Sequence, residues 1–266
     1  MDAGIEQFAP WLALWDLIPE GEPLLMPHTG SRLLPVRRGD TAAMLKLAAS
    51  EDERRGGQIM AWWDGEGAAP VLARRDEALL MLRAAGRTLT DVVLGGDDRA
   101  ATATACEVLA ALHRPRPDPP QTRPLAHLFS ALLESGEARL DGARSTARHL
   151  LEGQAELRLL HGDMHHGNVL DFGPRGWLAI DPWGVAGERA YDYANLFRNP
   201  RVEDICPERF GARLAQISAL ANLEPARLQS WAYAHAGLSA AWDIQDGALM
   251  EAERSFALIS LLEGRA

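Results

Sequence analysis

The chain has 266 residues, 47% of them hydrophobic, with a formal net charge of −10. That length suffices for a substantial core in one domain or two, and the acidic balance argues against nucleic acid or an anionic membrane surface as partner while favouring a cationic ligand. No apolar run approaches the roughly 18 residues of a membrane span, and Met1 to Pro10 carries Asp2 and Glu6 without a basic leader. The two cysteines, Cys106 and Cys206, stand in unrelated contexts, which excludes a disulfide framework or a cysteine zinc cluster and makes the cytoplasm the expected setting.

Leu24 to His28, Arg32 to Arg37 and Ala43 to Leu47 have the composition of three short strands, joined through His28-Thr29-Gly30-Ser31 and Arg38-Gly39-Asp40. Ser50 offers an N-cap, with Glu51, Asp52 and Glu53 in the first turn of a helix running toward Trp62-Trp63. Gly56-Gly57 is out of character for that helix, and Asp64-Gly65-Glu66-Gly67 ends it. Val71 to Arg74 and Ala78 to Leu82 form a second hairpin, so residues 1–83 are expected to make a small β-rich lobe with one helix. From Asp97 onward the pattern turns helical: Ala101 to His113, Leu125 to Glu134, Ala143 to Leu157, Asp192 to Phe197, Pro207 to Ala221, Pro225 to Asp243 and Gly247 to Leu262. Residues 84–266 are therefore expected to form a larger, mostly α-helical lobe.

Within that lobe stands His161-Gly162-Asp163-Met164-His165-His166-Gly167-Asn168, followed after one hairpin by Asp181-Pro182. Val169 to Phe172 and Trp177 to Ile180 flank the turn Gly173-Pro174-Arg175-Gly176. Pairing Phe172 with Trp177 sets Asn168 opposite Asp181, two hard oxygen donors suited to Mg²⁺. Asp163 precedes them by one tight loop, near enough to meet a substrate hydroxyl. One aspartate for the hydroxyl proton, with an asparagine and a second aspartate for metal, is the division of labour of kinase catalytic loops. A zinc site on His161, Asp163, His165 and His166 would leave Asn168 and Asp181 unexplained. His161, after Leu159-Leu160, is expected to pack inside and bond the loop backbone, and Asp192 to cap the next helix.

A small β-rich lobe with a lysine strand, then an α-rich lobe with H-G-D-x-x-x-x-N and I-D-P, resembles the aminoglycoside phosphotransferase family. Ser31 to Arg37, Ala61-Trp62-Trp63-Asp64-Gly65, Leu112-His113, His161 to Gly173 and Asp192-Tyr193-Ala194-Asn195 look most like its streptomycin 6-phosphotransferase and hydroxyurea phosphotransferase branch. The resemblance implies an α+β, protein-kinase-like two-lobe fold, ATP and Mg²⁺ as cofactors, and a small, cationic hydroxyl acceptor such as streptomycin, with resistance as the consequence. Asp163 would be the catalytic base and Asn168 and Asp181 the metal ligands. Lys46, the lone charge in Met44-Leu45-Lys46-Leu47, would pair with nucleotide phosphates, anchored by Glu53, with Glu51 in reserve. Thr29, Gly30 and Ser31 would form a phosphate-covering turn. Met81 and Arg83 would flank the adenine hinge, although Leu82 stands where the family carries an acidic residue. Trp183 would line the acceptor pocket, with Glu188, Asp243, Asp246 and Glu251 as carboxylates for a polycation. A metabolite or hydroxyurea kinase of the same fold, or a nucleotide-binding protein without turnover, would keep the same framework.

Overall fold

The structure, a computed structural model, describes residues 4–27, 29–200 and 205–264; Asp2 and His28, named above, lie outside them. Strands β1 (Ile18–Pro19), β2 (Leu24–Leu25), β3 (Arg32–Arg38), β4 (Thr41–Leu47), β5 (Val71–Arg75) and β6 (Ala78–Leu82) form an antiparallel sheet in the order β1-β3-β4-β6-β5, with β2 added to β3. Alternation along the strands divides their side chains between two faces. Leu34, Val36, Ala43, Leu45 and Leu80 fill one face beneath Phe8 and Leu17. Sequence patterning assigns nothing to the segment before Leu24, yet helix α1 (Ala9–Trp15) forms there and sets Trp11, Leu12 and Trp15 against this face. The other face carries Met44, Leu79 and Met81, packed with Met60 of helix α2 (Glu51–Trp63) and with Phe172 and Leu178 beyond the sheet. Lys46, two residues from Met44, shares that second face.

Ser50 caps α2, its Oγ accepting from Glu53 N at 3.2 Å. Helix α3 (Leu89–Leu94), which sequence patterning missed, starts on a capping box between Thr88 and Asp91. Helix α4 (Asp98–Leu112) follows, then β7 (Arg123–Pro124), α5 (Ser130–Glu134) and α6 (Asp141–Glu152). The segment Leu125 to Glu134 is a 3₁₀ turn plus α5, not one helix, and α6 stops at Glu152 ahead of Gly153. Residues Leu157–Leu160 are instead strand β8, paired antiparallel with β11 (Val185–Glu188), which lies parallel to β7. These strands are too short for alternation to betray them. Between them β9 (Val169–Asp171) and β10 (Trp177–Ala179) form the expected hairpin. Helices α7 (Tyr191–Ala194), α8 (Pro207–Ala221), α9 (Pro225–Gln245) and α10 (Leu249–Glu263) complete the helical region, with α9 buried along most of its length.

The hairpin register differs from expectation by one residue. Gly173–Arg175 coil into a 3₁₀ turn closed by Phe172 N donating to Gly176 O at 2.8 Å, so Phe172 belongs to the loop and Asp171 pairs with Trp177. Asn168 consequently faces Ile180, whose N–H donates to Asn168 O at 2.9 Å, and Asp181 lies one residue beyond. The hairpin is tied to the sheet region by Ala69 N to Ala179 O (2.9 Å), Ala179 N to Gly67 O (2.8 Å) and Ala85 N to Asp171 O (2.8 Å). No helix of the described residues is long and apolar enough to cross a membrane.

Candidate active site

Two loops meet because their strands do. Leu160, the last residue of β8, is paired with Val185, the first of β11, while Val169 at the start of β9 is paired with Ala179 at the end of β10. Residues 161–168 and 180–184 therefore run side by side, joined by Trp183 N and Gly184 N donating to His161 O at 2.8 and 3.1 Å. His161 is fully buried; its Nε2 donates to Ile180 O at 2.9 Å, its Nδ1 accepts from Asp163 N at 3.3 Å, and its ring stacks on Trp63. Burial holds its pKa below the ordinary histidine range despite the nearby Asp192 and Asp163, so the ring is a neutral brace.

Asp192 does not cap a helix. The residue at the N-cap of α7 is Ala190, which has no side-chain acceptor, and the Asp192 carboxylate is turned instead toward the loop. Its Oδ1 accepts from Gly162 N at 2.8 Å, and its Oδ2 from His161 N at 2.9 Å and His113 Nε2 at 2.8 Å. Burial alone would raise this carboxyl, but the His113 partner and the amide donors outweigh it and hold it below the usual range. Asp192 and His113 thus clamp the turn that delivers Asp163.

Burial holds the Asp163 carboxyl above its ordinary pKa, with Asp181 acting in the same sense and His165, His161 and Arg198 against it. Asn168 Nδ2 donates to Asp163 O at 2.9 Å, leaving Asn168 Oδ1 on the opposite side of the amide. Asp181 has a φ of 60°, a left-handed conformation that costs a non-glycine residue on the order of 1–3 kcal/mol and turns its carboxylate back toward the sheet. There it meets Lys46, whose ammonium pairs with both Asp181 and Glu53. Burial would push the Lys46 pKa down, but the two carboxylates hold it above the ordinary lysine range. Asn168 Oδ1 and the Asp181 carboxylate are hard oxygen donors of the kind Mg²⁺ takes. Among the described residues no group of three or more His, Cys, Asp or Glu gathers to hold a metal; His165 Nδ1 accepts from Gly167 N at 3.0 Å, and His166 is buried.

Other sequence candidates stand differently. Gly30 N donates to Met26 O at 2.8 Å and Ser31 N to Thr29 Oγ1 at 3.2 Å, so two of the three amides of the Thr29-Gly30-Ser31 turn are engaged internally. Ser31 is buried, and its Oγ donates to Glu53 at 3.1 Å while accepting from Ala49 N; it steadies the lysine's anchor. At the hinge, Met81 lies buried in β6 opposite Met44, and Arg83 N donates to Ala42 O, which commits both residues to the sheet. The Arg83 side chain pairs with Glu20 at 2.6 Å. Glu188 is not an acceptor ligand: it is buried, bound by Arg227, Trp231 Nε1 at 2.9 Å and Ala155 N at 3.0 Å, and braces α9 against β11. Asp243 pairs with Arg198 at 3.0 Å, and Asp246 is the exposed C-cap of α9. Trp183 is 38% exposed and packs at a tilt of 49° against Trp242, ring centroids 5.2 Å apart, beside a cavity of about 190 Å³ lined also by Asp52, Arg123 and His127. Sequence reasoning missed Asn195 as a partner of Asp163, although Asn195 closes the Asp192-Tyr193-Ala194-Asn195 stretch that carried the family resemblance.

Residues 14–247 match the family described as aminoglycoside/hydroxyurea antibiotic resistance kinase. The chain is 49% identical over 243 residues to the streptomycin 3''-kinase of Klebsiella pneumoniae, covering 88% of this chain and 91% of that protein. It is 32% identical to the hydroxyurea phosphotransferase of Kitasatospora aureofaciens, over 97% of this chain and 78% of that protein, and 31% identical to the streptomycin 6-kinase of Streptomyces glaucescens, over 94% and 86%. Among solved structures, an aminoglycoside phosphotransferase in ternary complex with ADP and hygromycin B superposes with a TM-score of 0.68 at 16% identity, covering 98% of each chain. A choline/ethanolamine kinase family protein from Mesorhizobium loti reaches 0.66 at 18% identity, over 95% of this chain and 90% of that one. These likenesses identify the fold as protein-kinase-like, and the chain belongs to the aminoglycoside/hydroxyurea antibiotic resistance kinase family.

Proposed function

We propose that the protein transfers the γ-phosphoryl group of ATP to a hydroxyl of an aminoglycoside, and that the acceptor is streptomycin at its 3''-hydroxyl. The observation that carries this reading is Lys46, drawn from β4, paired at once with Glu53 of α2 and with Asp181 of the loop beside Asp163. A buried lysine held between two carboxylates is poised to exchange one of them for a nucleotide phosphate. The 49% identity to the streptomycin 3''-kinase, against 31% to the streptomycin 6-kinase, favours the 3'' position.

In this reading Asp163 accepts the acceptor's hydroxyl proton and Lys46 orients the phosphates, with Glu53 and Ser31 fixing the lysine. Asn168 and Asp181 would hold Mg²⁺, which neutralises charge spread over the phosphoryl oxygens when bound. The lobes divide after Arg83, and Ala84, whose backbone groups have no backbone partner among the described residues, offers the hinge a free amide and carbonyl for adenine. Trp183 and Trp242 wall the acceptor side, with the Arg198–Asp243 pair and Asp246 at its edge. Phosphorylation would remove the antibiotic's charge complementarity to an RNA target. The segment from Asp181 to Asp192 carries β11 and no long loop, so turnover requires no phosphorylation of the protein itself.

Mass spectrometry of streptomycin, other aminoglycosides, hydroxyurea and simple sugars after incubation with ATP and Mg²⁺ tests this, with NMR to locate the modified hydroxyl. A single phosphoryl addition at 3'' on streptomycin, absent with Asp163→Ala, is the expected result. Addition to hydroxyurea alone, or to none of the panel, would overturn the substrate.

A further inference from the structure

A carboxylate that accepts a proton from one hydroxyl needs one oxygen free and the other held. Asp163 Oδ1 accepts from Asn195 Nδ2 at 3.0 Å. Asn195 is 6% exposed, and its own Oδ1 accepts from Asn199 Nδ2 at 2.7 Å; the same Asn199 nitrogen donates to Asn195 O at 3.0 Å. An amide has one accepting end and one donating end. With Asn199 holding the accepting end, the Asn195 NH₂ must face Asp163. Asn199 is anchored in turn: its carbonyl accepts from Arg213 Nη1 at 2.6 Å, that nitrogen also bonds Leu196 O, and the Arg213 guanidinium pairs with Asp98 of α4. The turn Asn195–Phe197 is thereby suspended between the loop and the α4–α8 pair.

We infer that Asn195, oriented by Asn199, is a positioning residue for phosphoryl transfer: it occupies Oδ1 of Asp163 and turns the carboxylate so that Oδ2 is left for the acceptor's hydroxyl. This rests on the phosphotransfer reading above. In the step itself the acceptor oxygen forms its bond to the γ-phosphorus while the bond from that phosphorus to the bridging oxygen breaks. ADP departs with the electron pair, and the hydroxyl proton passes to Asp163 Oδ2. His165 Nε2 lies 3.8 Å from that oxygen; the other ionisable groups near Asp163 are His161, Asp181, Tyr191 and Arg198. All of them remain in place when Asn195 or Asn199 is changed. Asp192 holds the loop's amides and Asn195 its reactive side chain, so one helical turn supplies both restraints.

The test compares streptomycin phosphorylation by the wild type, Asn195→Ala and Asn199→Asp. Asn199→Asp replaces a donor by an acceptor, draws the Asn195 NH₂ toward itself and presents an oxygen to Asp163 without touching the base. The expected result for both variants is a kcat lower by about 10- to 100-fold from misorientation, with both KM values within about twofold of wild type. A kcat within about twofold of wild type, or a loss of kcat matched by a rise in either KM, overturns the inference. Should Asn195→Ala fail to fold, Asn199→Asp carries the test. If the wild type does not phosphorylate streptomycin, the functional reading fails by itself, and nitrogen-15 NMR of the Asn195 side-chain amide still decides the relay. Asn195 NH₂ resonances that move in both Asp163→Ala and Asn199→Asp support it, and resonances unmoved in Asp163→Ala overturn it.

Discussion

Lys46 occupies an otherwise apolar strand, where an unpaired ammonium would be costly, and two carboxylates meet it from different elements. Lys46→Met keeps the stem and removes the charge. It should reduce kcat/KM for ATP by on the order of 100-fold and destabilise the fold by about 1–3 kcal/mol, since among the described residues the Glu53 carboxylate then keeps Ser31 alone as a close partner. Steady-state kinetics with a melting curve check both; unchanged kinetics would make Lys46 a structural residue. Asp163→Asn should lower kcat by about 10²–10⁴ with little effect on the melting temperature, as expected for a general base. Because burial raises the Asp163 pKa and the ionised form is the active one, wild-type kcat should rise with pH through a midpoint above the ordinary carboxylate value. A profile flat down to pH ~4, near the unperturbed aspartate value, would contradict this.

Helix α2 explains its own oddity. Gly56 is a poor helix former, but a Cβ there would stand 2.2 Å from Pro182 O, and one on Gly184, itself at a φ of +64°, would stand 1.7 Å from Ile59 Cδ1. The helix carrying Glu53 therefore lies directly on the loop carrying Asp181, and backbone contact sets the distance that Lys46 bridges. By propensity alone Gly56→Ala would stabilise the helix by up to about 1 kcal/mol; here the clash should reverse the sign and cost about 1–3 kcal/mol. A lower melting temperature together with a raised KM for ATP is the expected outcome, and a more stable, fully active variant would show that the two elements can separate freely. The same contact accounts for Gly56, which local pattern alone cannot justify; a Cβ on Gly57 would meet Leu79 at an ordinary 3.5 Å.

At the scale of the molecule, burial of neutral histidines sets acid sensitivity. His166 and His235 are each lowered from an ordinary 6.5 to about 3 by burial, and His161 is lowered as well. Between those values the unfolded chain binds protons that the folded chain refuses, so stability is complete above about pH 6.5 and declines as pH falls below it. Asp163 and Asp243, raised by burial, act in the opposite sense. The melting temperature should therefore fall from pH 7 to pH 5, and less steeply in His235→Phe if that variant folds. A melting temperature constant across this range would refute the account.

What the sequence by itself determined was local: the Ser50 cap and acidic first turn of α2, the alternation that put Lys46 on an apolar strand, the turn that made the β9–β10 hairpin, and the Asp163-to-Asn168 spacing. Each depends on neighbours within a few residues, where covalent geometry and propensity dominate. Tertiary structure decided what each side chain meets from afar. A 3₁₀ turn moved the hairpin register by one residue, Arg227 and Trp231 took Glu188 into a buried brace, and Ser31 became a partner of Glu53. Asp192 reached His113 and the loop amides across 79 and about 30 residues of chain, and Asn195 reached Asp163 across 32. Such partners are chosen by which buried donor would otherwise lack an acceptor, a condition that exists only once the chain has closed around it.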